Sequence, residues 1–287
     1  MVQCKGKNKD GVTQCRNFKG VNADGYCNRH TWQGRQTTQC EATDPDTGRR
    51  CQQVGVNAEG FCRDHDPARC KGFLLPQNGG MRCKKDAKPG YDYCCSAHDP
   101  ALQHFNIKLL DRRDLRDMME GPVVMQYGGL DLYHGNQLGR TTTKTHEMDH
   151  VVEKQSFGHT LNQLPLDHVD IVVPVLNESV VHEQDNLALT RTATNRIKGQ
   201  AVFKFQDDLV TGHLNGRSFT MYLLDERRQG ERLDRDVTRR ITRAMGKSMK
   251  NCQRKLAAES ESPEIEAMSA QLQKLYVDME LAPSRSR

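Results

Sequence analysis

The carboxylate of Asp149, the imidazole of His150 and the carboxamide of Asn195 are groups that could together hydrolyse a phosphodiester. Attacking water must lose a proton, and a neutral imidazole can take it near pH 7. Charge builds on the phosphate and on the leaving 3′ oxygen, and a hard divalent cation offsets it. Aspartate and asparagine oxygens, completed by waters, suit Mg²⁺ or Mn²⁺.

A different chemistry is concentrated earlier in the chain. Ten of the eleven cysteines fall within the first 95 residues, and Cys252 stands apart. They repeat in order with histidines: Cys4, Cys15, Cys27 and His30; Cys40, Cys51, Cys62 and His65; Cys70, Cys83, Cys95 and His98. Self-similarity at this period marks tandem small units. Three thiolates and one imidazole close a tetrahedral zinc site with no open position, which is a structural site. The third set is ambiguous because Cys94 and Cys95 are adjacent; the C-x2-H spacing of the other two favours Cys95 and leaves Cys94 spare. A disulfide framework is the rival reading, but it does not explain a histidine at the same offset three times. Each unit has few apolar residues, so metal would supply most of its folding energy.

The elements that position the first group can be read from periodicity. Residues 146–152 read as a strand, 185–191 as a second strand, and 192–200 as the start of a helix. In that helix Ala193, Ile197, Ala201 and Phe205 recur every four residues and predict a buried face, while Asn195 and Lys198 share another. A carboxylate, an imidazole and a carboxamide can thus converge from a strand–strand–helix unit. Upstream, residues 101–120 predict a helix ended by Gly121-Pro122, and 123–127 a short strand. The stretch 157–184 between the two strands reads as a long insertion, a loop that shapes a groove or packs on a partner.

Here a resemblance enters. Glu147-x-Asp149-His150-Val151-Val152, Asp185-Asn186-Leu187 and Asn195-Arg196-x-Lys198-Gly199 resemble the signature of the HNH (His-Me finger, ββα-metal) endonucleases. Gln155-Ser156-Phe157 and Leu189-Thr190-Arg191 extend the likeness to the HNH domain of RNA-guided CRISPR nucleases, over residues 123–205. The resemblance implies that His150 activates water, that Asp149 and Asn195 bind one Mg²⁺ or Mn²⁺, and that Asn186 fixes the loop and orientation of His150. It implies that Arg191, Arg196 and Lys198 hold phosphates of DNA. Two departures stand out: Asn195 occupies a position where many members have histidine, and the gap from His150 to Asn186 is longer than usual.

Beyond residue 210 the chain turns strongly basic. Residues 227–255 hold eleven Lys and Arg against three acidic residues, with Arg235, Arg239 and Arg243 at helical spacing. Such a stripe would lie along a phosphate backbone. Residues 264–281 predict an acidic helix whose Ile265, Met268, Leu272, Leu275 and Met279 pack back on the body, the alternative being a homodimer.

These readings give an α+β chain in three parts: zinc modules at 1–100, a nuclease domain at 101–210 and a helical region at 211–287. The net charge of +5 is compatible with nucleic acid. The N-terminus is polar and no apolar run of spanning length exists, so a membrane partner is not expected and the location is read as intracellular, cytoplasmic or, in a eukaryote, nuclear. The function expected is a site-specific DNA endonuclease of homing, restriction or phage type, leaving 5′-phosphate and 3′-hydroxyl ends. The alternative is a non-catalytic, zinc-dependent nucleic-acid-binding protein with a relic HNH fold.

Overall fold

The computed structural model describes residues 3–5, 13–16, 21, 25–27, 40–43, 50–53, 55, 61–62, 65–72, 83–102, 104–138, 145–228, 230–259 and 262–281. The chain divides into two compact units, Met1–Cys94 and Cys95–Arg287.

The first unit is built from short bridges rather than long elements. Cys40 N–H donates to Gln53 O and Cys51 N–H to Ala42 O; Cys70 N–H donates to Lys85 O and Cys83 N–H to Gly72 O. In both cases each cysteine bonds the residue two beyond the other, so the sequence repeat is a repeat of backbone pairing. Among the described residues the buried side chains here are mostly cysteines, including Cys4, Cys27, Cys40 and Cys70. The described part removes little apolar surface from water, and metal binding would be another source of folding energy.

The second unit is mixed helix and strand. Helix α1 (Leu115–Gln126) is followed by strand β1 (His146–His150), α2 (Lys154–Leu161), α3 (Leu166–Ser179), β2 (Leu187–Arg191) and α4 (Thr192–Val210). Then come α5 (Phe219–Asp225), a two-residue hairpin of β3 (Arg227–Arg228) and β4 (Glu231–Arg232), the long α6 (Arg235–Glu259) and α7 (Pro263–Asp278). β1 and β2 pair antiparallel, from His146 opposite Arg191 to His150 opposite Leu187. The chain passes from Arg191 directly into α4.

β2 is buried on both faces, from Leu187 through Thr190. Leu187 and Leu189 pack with Leu115 and Val123 of α1, while Ala188 faces a larger core holding Ile197, Val202 and Phe205 of α4. That burial corrects the expectation for residues 101–127. The helix begins only at Leu115, with a short 3₁₀ turn at Ile107–Leu110 ahead of it; it does not stop at Gly121-Pro122 but runs through it to Gln126, and no strand forms at 123–127. Leu115, Met119 and Val123 line one face, and covering β2 with that face outweighs the proline's local cost.

The 157–184 stretch is likewise not a loop: α2 and α3 occupy most of it, and Pro174 lies inside α3. Phe157 and Leu161 of α2 and Val172 and Leu176 of α3 are buried in the main core. The acidic helix α7 packs into that same core through Ile265, Met268, Leu272 and Leu275, and Met279, one residue past the helix, joins it. No helix among the described residues is long and apolar enough to cross a membrane.

Candidate functional site

Three cysteine clusters form, each with ligand atoms within 4.8 Å of one another: Cys4, Cys15 and Cys27; Cys40, Cys51, Cys62 and His65; Cys70, Cys83, Cys94 and His98. The sulfur spacings are too long for disulfides and fit ligands that share one metal ion. Cys15 and Cys27 are 3.9 Å apart, Cys51 and Cys62 4.0 Å, and Cys83 and Cys94 3.7 Å. A disulfide needs about 2.05 Å. A tetrahedron with zinc–sulfur arms of about 2.3 Å has edges of about 3.8 Å.

Backbone amides also point at the sulfurs: Cys27 N–H to Cys4 Sγ, Cys62 N–H to Cys40 Sγ, Gln53 N–H to Cys51 Sγ and Gly72 N–H to Cys70 Sγ. Such bonds favour thiolate, the form that binds metal. Burial alone would raise the Cys40 thiol, but the amides of Cys62 and Ala42 overcome it and bring its pKa down to about 6. The three groups could hold three zinc ions.

One expectation is corrected here. Cys94, not Cys95, joins Cys70, Cys83 and His98. The Cys83–Cys94 pair reproduces the second-to-third sulfur spacing of the other modules, and the 3₁₀ turn Ser96–His98 brings the histidine round from one residue farther away. His30, expected as the fourth ligand of the first cluster, lies outside the described residues.

In the second unit, Glu147 and Asp149 alternate with their neighbours along β1 and face α4. Asn195 Nδ2 donates to Glu147 Oε2 at 3.0 Å, and Lys198, one turn on, reaches Asp149 Oδ2 at 2.8 Å. Lys198 is fully buried, and its ammonium meets Tyr133 Oη, the carbonyls of His150 and Val151, and Glu153 Oε1 at 3.3 Å. This corrects the expectation that Lys198 holds a phosphate: it is an interior counter-ion. Burial opposes its charge, but Asp149 and Glu153 outweigh that and hold its pKa above the ordinary value.

Burial likewise raises Asp149, with Lys198 pulling the other way, and pushes Glu153 up to about 7. Tyr133 donates to Asp149 Oδ2 at 2.6 Å; burial and then the Asp149 charge keep its phenol protonated. Asp149 Oδ1 is buried and has no hydrogen-bond partner among the described residues.

His150 ends β1 and turns the other way. Its Nε2 lies 3.2 Å from His182 Nδ1, with the rings edge to face. Burial, then Lys154, His182 and Lys198, depress the His150 pKa well below the usual value, so the ring is neutral near pH 7. Burial and Lys154 lower His182 too. Two neutral imidazoles share one proton across such a contact, which fixes complementary tautomers.

Asn186 clasps the next residues. It accepts from Val152 N–H and Ser248 Oγ, and it donates to the carbonyls of Val181 and Val152. No known protein family, curated protein or solved structure matches the chain.

Among the residues singled out from sequence, Asp149 and Asn195 therefore lie on facing surfaces of one strand–strand–helix unit but bond to different partners. His150 pairs with His182 and not with either. Arg191, Arg235 and Arg243 are exposed, Arg196 forms an ion pair with Glu147 at 3.4 Å, and Arg239 pairs with Asp236. Asn195, Arg196 and Glu153 line a cavity of about 490 Å³ together with Arg228. Tyr133, Glu153, His182 and Ser248 had no signature in the sequence, because each is defined by what it touches across the fold.

Proposed function

We propose that this chain is a metal-dependent DNA endonuclease of the HNH type, cutting at specific sites and leaving 5′-phosphate and 3′-hydroxyl ends. The observation that carries the reading is the antiparallel pair β1–β2 running directly into α4, with Asp149 contributed by the strand and Asn195 by the helix on facing surfaces. That is the order in which the resemblance requires a carboxylate and a carboxamide. His150, neutral near pH 7, has the protonation state a general base needs. Asn186 bonds both main-chain groups of Val152 and so holds the segment that follows His150, the positioning role the resemblance assigns it.

The donor set fits a hard divalent cation by type. Among the described residues Asp149 keeps one carboxylate oxygen without a hydrogen bond, and Asn195, bonded to Glu147, borders an open cavity. Asp149 and Asn195 would hold the ion, and its chemistry would be to offset charge on the phosphate and leaving oxygen. Arg196 and Arg228 at the cavity rim would attract a phosphate backbone, and the zinc modules and α6 would position the duplex.

One observation favours the second reading, a non-catalytic zinc-dependent nucleic-acid-binding protein. Asp149 is 1% exposed and already neutralised by the Lys198 ammonium at 2.8 Å. Supercoiled plasmid incubated with Mg²⁺ or Mn²⁺ separates the two. Wild type should nick or linearise it while His150→Ala loses the activity by at least about 100-fold. Equal cutting by both proteins, or by neither, would leave only the binding reading.

A further inference from the structure

A second cavity, of about 240 Å³, lies where the end of α1 and the residues just after β1 and just before β2 meet α6, and was not anticipated from the motifs. It is lined by Leu132, Val151 and Ala244, by Tyr127, and by Arg240, Arg243 and Lys247 of α6. Asp185 and Asn251 complete its wall. Val151 follows His150 and Asp185 precedes Asn186, so two of its wall residues are chain neighbours of the candidate site.

Its chemistry has three parts. Leu132, Val151 and Ala244 are aliphatic and Tyr127 adds a half-buried ring, a lining that suits the face of a planar heterocycle. Arg240, Arg243 and Lys247 occur at i, i+3 and i+7 on one face of α6, and none of the three makes an ion pair among the described residues. Their neighbours on the same helix do: Arg239 with Asp236 and Lys255 with Glu183. Asp185, itself without an ion pair among the described residues, and Asn251 offer hydrogen-bonding groups for a polar edge.

We propose that this cavity binds one nucleotide of a nucleic-acid strand, its base against Tyr127 and the aliphatic wall and its phosphate among Arg240, Arg243 and Lys247. The proposal deepens the nuclease reading and rests on it for the identity of the strand. It also reassigns the phosphate-binding face of α6. The stripe Arg235, Arg239 and Arg243 expected from sequence gives way to Arg240, Arg243 and Lys247, because only Arg243 of the first set lines the cavity. The cavity combines cationic and apolar lining, as a base–phosphate unit requires, whereas a plain polyanion track needs only the cations.

The test is equilibrium binding of a labelled single-stranded oligodeoxynucleotide to the full chain in EDTA, so that no cutting intervenes. Arg243→Ala with Lys247→Ala should weaken binding about tenfold and lower the salt slope by about 1 to 2. Ala244→Phe fills the cavity without changing charge and should weaken binding by a similar factor, with an unchanged circular dichroism spectrum and melting temperature as the check on folding. Inorganic polyphosphate should compete poorly.

If Ala244→Phe, correctly folded, binds as wild type does, or polyphosphate competes as well as DNA, the cavity is not a nucleotide site and the proposal fails. Loss of plasmid cutting in His150→Ala with Ala244→Phe binding unaffected would sink this proposal alone. Normal cavity-dependent binding with no cutting under any divalent ion would sink only the nuclease reading.

Discussion

Lys198 lies one helical turn from Asn195 and was expected beside it at a phosphate, yet its ammonium sits among five oxygens with none of its side chain exposed. Removing one member of a buried pair leaves an uncompensated charge, which costs more than the pair contributes. Lys198→Met should therefore destabilise the second unit by about 3–5 kcal/mol in urea unfolding. A lysine that merely touched DNA would leave the unfolding midpoint where it was and change only affinity. The same arrangement makes His182 the partner to watch at His150. Its Nδ1 takes up one imidazole nitrogen and leaves the other for whatever His150 acts on.

Two helices added around the β1–β2 unit, α2 and α7, set a pH dependence at the scale of elements. His159 of α2 is mostly buried; burial, then the charge of Lys274 on α7, bring its pKa down to about 4, with Asp278 opposing. The unfolded chain takes up this proton near pH 6.5 and the folded one only near 4, so the contribution is complete above about pH 6.5 and is lost as pH falls towards 4. The loss should reach roughly 3 kcal/mol at most, and His159→Gln should flatten that part of a stability-versus-pH curve. Close packing at α6 gives a second prediction. A Cβ on Gly246 would stand 2.6 Å from the carbonyl oxygen of Leu281, a backbone atom that cannot rotate away. Gly246→Ala should lower stability by about 1–3 kcal/mol in the same unfolding assay.

For the molecule as a whole, metal is the clearest measurable quantity. Elemental analysis of the reduced protein should find three zinc ions per chain; Cys94→Ser should reduce the count to two, and Cys95→Ser should leave it at three. The opposite result for the two serine variants would restore Cys95 as the ligand. Strong chelation should unfold Met1–Cys94 while α6 and α7 keep their helical signal, because those helices bury apolar side chains and need no metal.

By itself the sequence determined the grouping of the cysteines into three clusters, the two strands with the helix that follows them, and the apolar face of α7, because each depends on local spacing: Cys and His offsets, or periods of two and 3.6 residues. Tertiary structure alone decided that α1 continues through Pro122, that α2 and α3 replace a loop, that Cys94 and not Cys95 faces the other sulfurs, and that Lys198 points inward. In each of those cases a neighbour distant in sequence supplies the burial, the charge or the sulfurs that a cysteine must face. A local pattern carries no record of such a neighbour.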